Sequence, residues 1–221
     1  MDFQVYNTPY GKFLLNPYDN ISKCLIEGYF WESELLPIFD SLTKDDTVVE
    51  VGSYIGDHTV YLSKICKKVY AYEGFQRNYY QLTANLLLNE CYNVSPFNVI
   101  LGNREVIRPA TKEDGFEVDF ENNASGARFV DGRESNTNIG IAIQLDSLFF
   151  DSVSLLKIDA EGMDLSILQG AEKTIQRFKP RIIFEYNELI SPPLENYKAF
   201  LDSIGYSCVH IGGYNWLADH V

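Results

Sequence analysis

From residue 47 onward, short apolar runs alternate with longer stretches of helical periodicity. Residues 47–51 (Thr-Val-Val-Glu-Val) form a continuous apolar run of strand length, as expected for a strand buried on both faces. Residues 57–67 read as a helix with Val60, Leu62 and Ile65 as apolar positions and Asp57 as its N-cap. Residues 68–73 form a second strand, and residues 76–90 a helix carrying Tyr79, Leu82, Leu86 and Leu87. A third strand over 94–101 is interrupted by Pro96. Residues 103–140 break the rhythm; rich in Gly, Asn, Asp and Glu, they read as loops around at most one hairpin. The rhythm resumes with a strand at 155–159 and a helix at 165–178, which Pro180 stops. A strand at 181–185 and a helix at 194–204 follow, the helix closed by Gly205. Two short strands, 207–211 and 215–217, end the chain.

Strands alternating with helices predict an α/β fold with a mostly parallel central sheet and helices on both faces. Ligands of such sheets bind at the carboxyl ends of the strands. The 221 residues suit one domain, with 1–46 as a lead-in and 103–140 as an irregular insertion. A domain cut from a larger multidomain protein would read the same way. At 46% hydrophobic and 22% charged, the chain has enough apolar material for a core. Its net charge of −13 argues against nucleic acid and anionic membrane as partners, because both are held through Lys and Arg. No apolar run approaches the roughly 20 residues of a membrane helix. Cys24, Cys66, Cys91 and Cys208 show no CxxC spacing, so reduced thiols and a cytoplasmic location are expected. The three histidines make no zinc signature.

The first strand runs into Glu50-Val51-Gly52-Ser53-Tyr54-Ile55-Gly56-Asp57, an E-x-G-x-x-x-G turn between strand and helix. Glycines there let the backbone turn tightly and approach a ligand, and the helix start offers free N–H groups. The dinucleotide pattern G-x-G-x-x-G fails in both registers, so a diphosphate ligand is disfavoured. A sulfonium donor with an α-amino group suits the acidic lining better. Glu73 ends the second strand about 20 residues past the turn, where an acidic side chain can accept from ribose hydroxyls.

Residues 157–164 (Lys-Ile-Asp-Ala-Glu-Gly-Met-Asp), followed by Ile167-Leu168-Gln169-Gly170-Ala171, resemble the FkbM family of methyltransferases. The resemblance extends to 48–59, 71–75, 145–148, 182–185 and the lead-in at 28–34; Gly74 stands where the family often has proline. It implies a Rossmann-like fold, S-adenosylmethionine as cofactor and O-methylation, with a sugar or glycan hydroxyl as first choice of acceptor. It also implies that Glu50, Gly52, Gly56 and Glu73 bind the donor, with Ser53, Tyr54, Thr59 and Gly74 beside them, and that Asp159 lies next to the methyl group. Residues 103–140 fit the family loosely and are expected to shape the acceptor pocket.

Methylating a hydroxyl requires the acceptor oxygen to be positioned and its proton taken up. Asp159 and Glu161 are the catalytic candidates. Glu185, with Asn187 just beyond, ends the next strand, and Asp159 with Glu185 could instead hold Mg²⁺. Metal-dependent relatives place two ligands side by side where Tyr186 intervenes here, so the metal is the weaker expectation. For Glu161 and Asp164 the plainer role is to favour a helix dipole, and for Lys157 to pair with a carboxylate. His58 is expected to pack or cap, and His210 to reach the rim as a second candidate base. Trp31 with Glu32, or Asn122 with Asn123, could line the acceptor pocket. Two rival readings are a nicotinamide-dependent oxidoreductase on the same fold and a non-catalytic S-adenosylmethionine-binding module.

Overall fold

The structure, a computed structural model, describes residues 3–109, 116–117, 128–129 and 139–221. The chain opens with a hairpin, β1 (Gln4–Thr8) and β2 (Gly11–Leu15), followed by α1 (Asn20–Ile26) and the short α2 (Leu36–Phe39). Next come β3 (Thr47–Val51), α3 (Asp57–Ile65), β4 (Lys68–Tyr72), α4 (Gln76–Leu88) and β5 (Val94–Phe97). β6 (Ile100–Leu101), β7 (Val106–Pro109) and β10 (Ile139–Ile143) form a small sheet of their own, and the two-residue strands β8 (Phe116–Glu117) and β9 (Arg128–Phe129) pair with each other. The second half is β11 (Leu155–Ile158), α5 (Asp164–Gln169), α6 (Glu172–Phe178), β12 (Arg181–Glu185), α7 (Leu194–Ser203), β13 (Tyr206–Gly212) and β14 (Asn215–His220).

The central sheet has the order β13-β14-β12-β11-β3-β4-β5. Strands β5, β4, β3, β11 and β12 run parallel, whereas β14 is antiparallel to both β12 and β13. From β3 the chain winds outward through β4 and β5, then returns to place β11 on the other side of β3. The carboxyl ends of β3 and β11 therefore flank a topological switch point, where such sheets bind ligands.

Successive residues of a strand face opposite sides, and here both sides are core. Val48, Leu155 and Ile183 join one apolar cluster with Val60 and Leu62 of α3 and Leu82 and Leu86 of α4. Their neighbours Val49, Leu156 and Ile182 join the other with Leu168 of α5, Ile175 of α6 and Leu201 of α7. This two-sided burial explains why the central strands are continuously apolar.

Three local expectations change. Asp57 is the first residue of α3, not its cap; Gly56, at φ +84°, makes the turn. Pro96 sits within β5, at the sheet edge where a missing N–H is tolerated, and the strand ends at Phe97. The helix expected over 165–178 is two helices. Asp146 caps the second from outside: its carboxylate accepts from the N–H groups of Lys173 (2.9 Å) and Thr174 (2.8 Å). At Gly170, between them, a Cβ would lie 1.9 Å from the Gly102 carbonyl oxygen, so only glycine allows this approach. Much of the expected insertion at 103–140, with Asn122 and Asn123, lies outside the described residues. No helix among the described residues is long and apolar enough to cross a membrane.

Candidate active site

The turn after β3 is built around Gly52 at φ +80°. Its N–H donates to the Tyr72 carbonyl at the end of β4 (2.9 Å), and a Cβ there would fall 1.7 Å from the Asp159 carbonyl oxygen. The backbones following β3, β4 and β11 thus converge at one point. Glu73 fastens this point with both oxygens: Oε2 accepts from the Tyr54 N–H (2.9 Å) and Oε1 from the Phe75 N–H (2.7 Å). Asn78 donates to it from α4 as well. A carboxylate has about four lone-pair sites, so one remains for a ligand hydroxyl.

On the other side of the switch point, β11 carries Lys157, which is 1% exposed, and ends at Asp159. The Lys157 ammonium lies 3.1 Å from Asp159 Oδ2. Burial alone would depress the lysine pKa, but the charges of Asp159, Glu32, Glu50 and Asp57 raise it. Glu50 is itself buried, and its Oε2 accepts from the Thr59 hydroxyl at 2.6 Å. Beyond Asp159 the backbone turns through Glu161 (φ +50°) and Gly162 (φ +88°). Asp164 does more than favour a helix dipole. Fully buried, it accepts from the Glu185 N–H at 3.0 Å and so ties the start of α5 to the end of β12.

These ends enclose a cavity of about 300 Å³. On the β3–β4 side it is lined by Gly52, Tyr54, Glu73, Gly74 and Asn78, and on the β11–β12 side by Asp159, Glu161, Met163, Glu185 and Asn187. The lead-in closes it with Ile21, Trp31 and Glu32, and the turn before β14 adds Tyr214. Of the residues assigned to donor and chemistry, Gly52, Tyr54, Glu73, Gly74, Asp159, Glu161 and Glu185 line this cavity. Glu50, Ser53, Gly56 and Thr59 are not lining residues; they support the wall from behind.

His58 is a packed side chain, stacked on Phe30 with Nε2 3.0 Å from the Trp31 carbonyl oxygen. His210 is exposed, 3.0 Å from the Gly213 carbonyl oxygen, and is not a lining residue. Sequence reasoning missed Asn78, Tyr214 and Ile21. Asn78 had a signal, an amide inside a helix that begins at a strand end. Ile21 and Tyr214 reach the cavity only through tertiary folding.

Residues 50–208 match the family model of the methyltransferase FkbM domain. The chain belongs to the FkbM methyltransferase family. Among solved structures it is similar to an FkbM methyltransferase from Methylobacillus flagellatus KT, with a TM-score of 0.55 and 19% identity over 81% of this chain. The chain spans only 44% of that protein's length. A Streptococcus mutans protein in complex with SAH gives a TM-score of 0.53 at 12% identity, covering 85% of this chain and 97% of that one. A precorrin-6y C5,15-methyltransferase from Geobacter metallireducens GS-15 gives 0.51 at 14%, covering 85% and 88%. At these identities the structures establish a Rossmann-like methyltransferase fold. No curated protein sequence matches the chain. Family membership removes the nicotinamide oxidoreductase reading.

The FkbM-type site does not fit Mg²⁺. Among the described residues no three His, Cys, Asp or Glu side chains group to hold an ion. Asp159 is already neutralised by Lys157. Burial, with the charges of Asp159, Glu161, Asp164 and Glu32, pushes the Glu185 carboxyl up to about 9, so it is protonated at neutral pH. With Asp159 paired to Lys157 and no third acidic or imidazole ligand grouped beside it among the described residues, the expected Asp159–Glu185 metal pair is not supported.

Burial also pushes Glu73 up to about 7, against the opposing hydrogen bonds from the N–H groups of Phe75 and Tyr54. Asp164 is pushed up to about 7 by burial and by Asp159. A carboxyl raised in the folded state keeps its proton there after the unfolded chain has lost it, so stability falls as pH rises between the two values. The ligand-free protein should melt at a lower temperature at pH 8 than at pH 5, with Glu185→Gln reducing the slope across that whole range and leaving little of it above about pH 7. Calorimetric melting across that range checks this; a flat or rising profile would contradict it.

Proposed function

We propose that the chain is an S-adenosylmethionine-dependent O-methyltransferase whose acceptor is a sugar or glycan hydroxyl. The observation that carries this reading is the single cavity at the β3–β11 switch point, with Gly52 and Glu73 on one wall and Asp159, Glu161 and Glu185 on the other. The donor supplies a methyl carbon already activated on a sulfonium. Glu73 offers its remaining acceptor position to a ribose hydroxyl, and the backbone at Gly52 lets the donor lie against the turn. Asp159, held at Oδ2 by Lys157, takes the acceptor's hydroxyl proton, and Glu161 faces the same space. None of the described lining residues is Lys or Arg, which supports an acceptor other than a nucleic acid.

The test is incubation with methyl-labelled S-adenosylmethionine and a panel of mono- and oligosaccharides, reading S-adenosylhomocysteine and the labelled product. The expected result is a labelled methyl ether on a sugar. Glu73→Gln should weaken S-adenosylhomocysteine binding by roughly 10- to 100-fold, the usual cost of a lost hydrogen bond to a charged group. Binding without turnover on any acceptor would favour the non-catalytic module. Unchanged affinity in Glu73→Gln would move the ribose site elsewhere.

A further inference from the structure

Two of the carboxyl groups lining the cavity are incompletely satisfied. Glu32 and Glu185 both line it, and Oε2 of each is shielded from solvent yet has no hydrogen-bond partner. Buried polar atoms in folded proteins are nearly always paired, so two orphans on residues that line one cavity point to a ligand whose polar groups complete them. Glu32 is also held at a cost. Its backbone is left-handed (φ 53°, ψ 53°), a conformation that disfavours a side chain of this size. Asn215, on the last strand, donates to Glu32 Oε1 at 2.8 Å, whereas the nearest charged neighbour of Oε2, His58 Nε2, stays 3.9 Å away, beyond hydrogen-bond distance. Such strain is retained where the surrounding structure over-determines it, commonly at ligand clamps.

We propose that Glu32 and Glu185 together form a recognition clamp for an uncharged, multiply hydroxylated ring, and that Glu32 is the residue that selects it. The inference rests on the sugar-hydroxyl reading given above and narrows it to non-acidic sugars. A hydroxyl both donates and accepts. It can donate to Glu32 Oε2 while a neighbouring hydroxyl accepts from a protonated Glu185. An ammonium group could serve only the first of these. A carboxylate or phosphate on the ring would meet Glu32 and Glu161, and none of the described lining residues is a Lys or Arg that could offset the repulsion. Trp31 and Tyr214, on the same cavity, supply aromatic surface for the ring's apolar side.

The test is direct binding to the protein saturated with S-adenosylhomocysteine, by saturation-transfer NMR and calorimetry. The probes are neutral methyl glycosides of several stereochemistries, their uronate counterparts and amino sugars. At least one neutral glycoside should bind, and its uronate should bind at least tenfold more weakly. Glu32→Gln should weaken the neutral sugar by roughly 10- to 100-fold and narrow its margin over the uronate, with S-adenosylhomocysteine affinity within about threefold of wild type. Glu32→Asp, which keeps the charge but withdraws the oxygen, should also lose sugar affinity; it stands in should the glutamine variant fail to fold. Sugars that bind regardless of charge, amino sugars that bind alone, or a Glu32 pair of variants without effect would overturn the clamp and leave the glycan reading standing. No sugar of any charge binding, while S-adenosylhomocysteine still binds, would overturn both.

Discussion

Gly52→Ala is expected to abolish donor binding and to lower the melting temperature by on the order of 10 °C. Two costs add. The residue sits at φ +80°, where any L side chain is strained by roughly 1–2 kcal/mol. The new Cβ would also stand 1.7 Å from the Asp159 carbonyl oxygen, a backbone atom that cannot swing away as a side chain can. Overpacking of this kind costs typically about 1–3 kcal/mol and more against backbone. At roughly 2–4 °C per kcal/mol for a chain of this size, the sum gives the stated shift. Relieving the clash means separating the ends of β3 and β11, which is the switch point itself, so the donor wall opens as stability falls. Gly28→Ala is the control: φ is +88°, but the nearest atom to its Cβ is Pro9 Cγ at 3.8 Å. It should show the conformational cost alone, a few degrees, with S-adenosylhomocysteine binding intact. Equal melting points for the two variants would mean that the loop relaxes and the close approach is not required.

What the sequence disclosed, it disclosed through local rules. The run at 47–51 could be read because both faces of β3 are core, and the turn at Gly52 because only glycine permits its geometry. Glu73 was legible from its spacing beyond that turn. What stayed hidden depends on partners far along the chain. The split between α5 and α6 is made by Asp146, 27 residues before the first N–H it caps. Gly170 is the one local sign of it within 165–178, and the apolar period carrying through masks it. Asp164 read as a dipole residue because its hydrogen bond to the Glu185 N–H exists only once β12 lies beside β11. Glu32 was visible as a pocket candidate, but the Asn215 contact that leaves one oxygen free spans 183 residues. The magnesium pair is not supported, for a similar reason. Asp159 and Glu185 have suitable chemistry in isolation, and only the fold shows Asp159 paired with Lys157 and no third ligand grouped with them among the described residues.

Lys157 and Asp159 are expected to separate stability from turnover. Lys157→Met keeps the stem volume and removes the ammonium. Asp159 then loses its partner, and Glu50 and Glu32, both close enough to raise the lysine's pKa, lose their nearby positive charge. Removing one member of a buried ion pair costs about 3–5 kcal/mol, because the other charge is left uncompensated. At roughly 2–4 °C per kcal/mol, Lys157→Met should melt well below wild type, on the order of 10 °C or more. Asp159→Asn is different. The lysine keeps Glu32, Glu50 and Asp57 as neighbouring charges, and the Asp159 side chain, 28% exposed, already has part of its charge met by solvent. Its melting point should fall by only a few degrees. Turnover should fall roughly a hundredfold to ten-thousandfold, the usual worth of a group that takes up a proton in the rate-limiting step. The double variant should recover part of the stability lost in Lys157→Met, because it removes both charges of the pair, while staying inactive. Melting temperature and labelled-methyl transfer measured on the same four proteins check the scheme. If Asp159→Asn keeps full turnover, Asp159 serves only to neutralise Lys157, and the proton must leave through another carboxyl of the cavity.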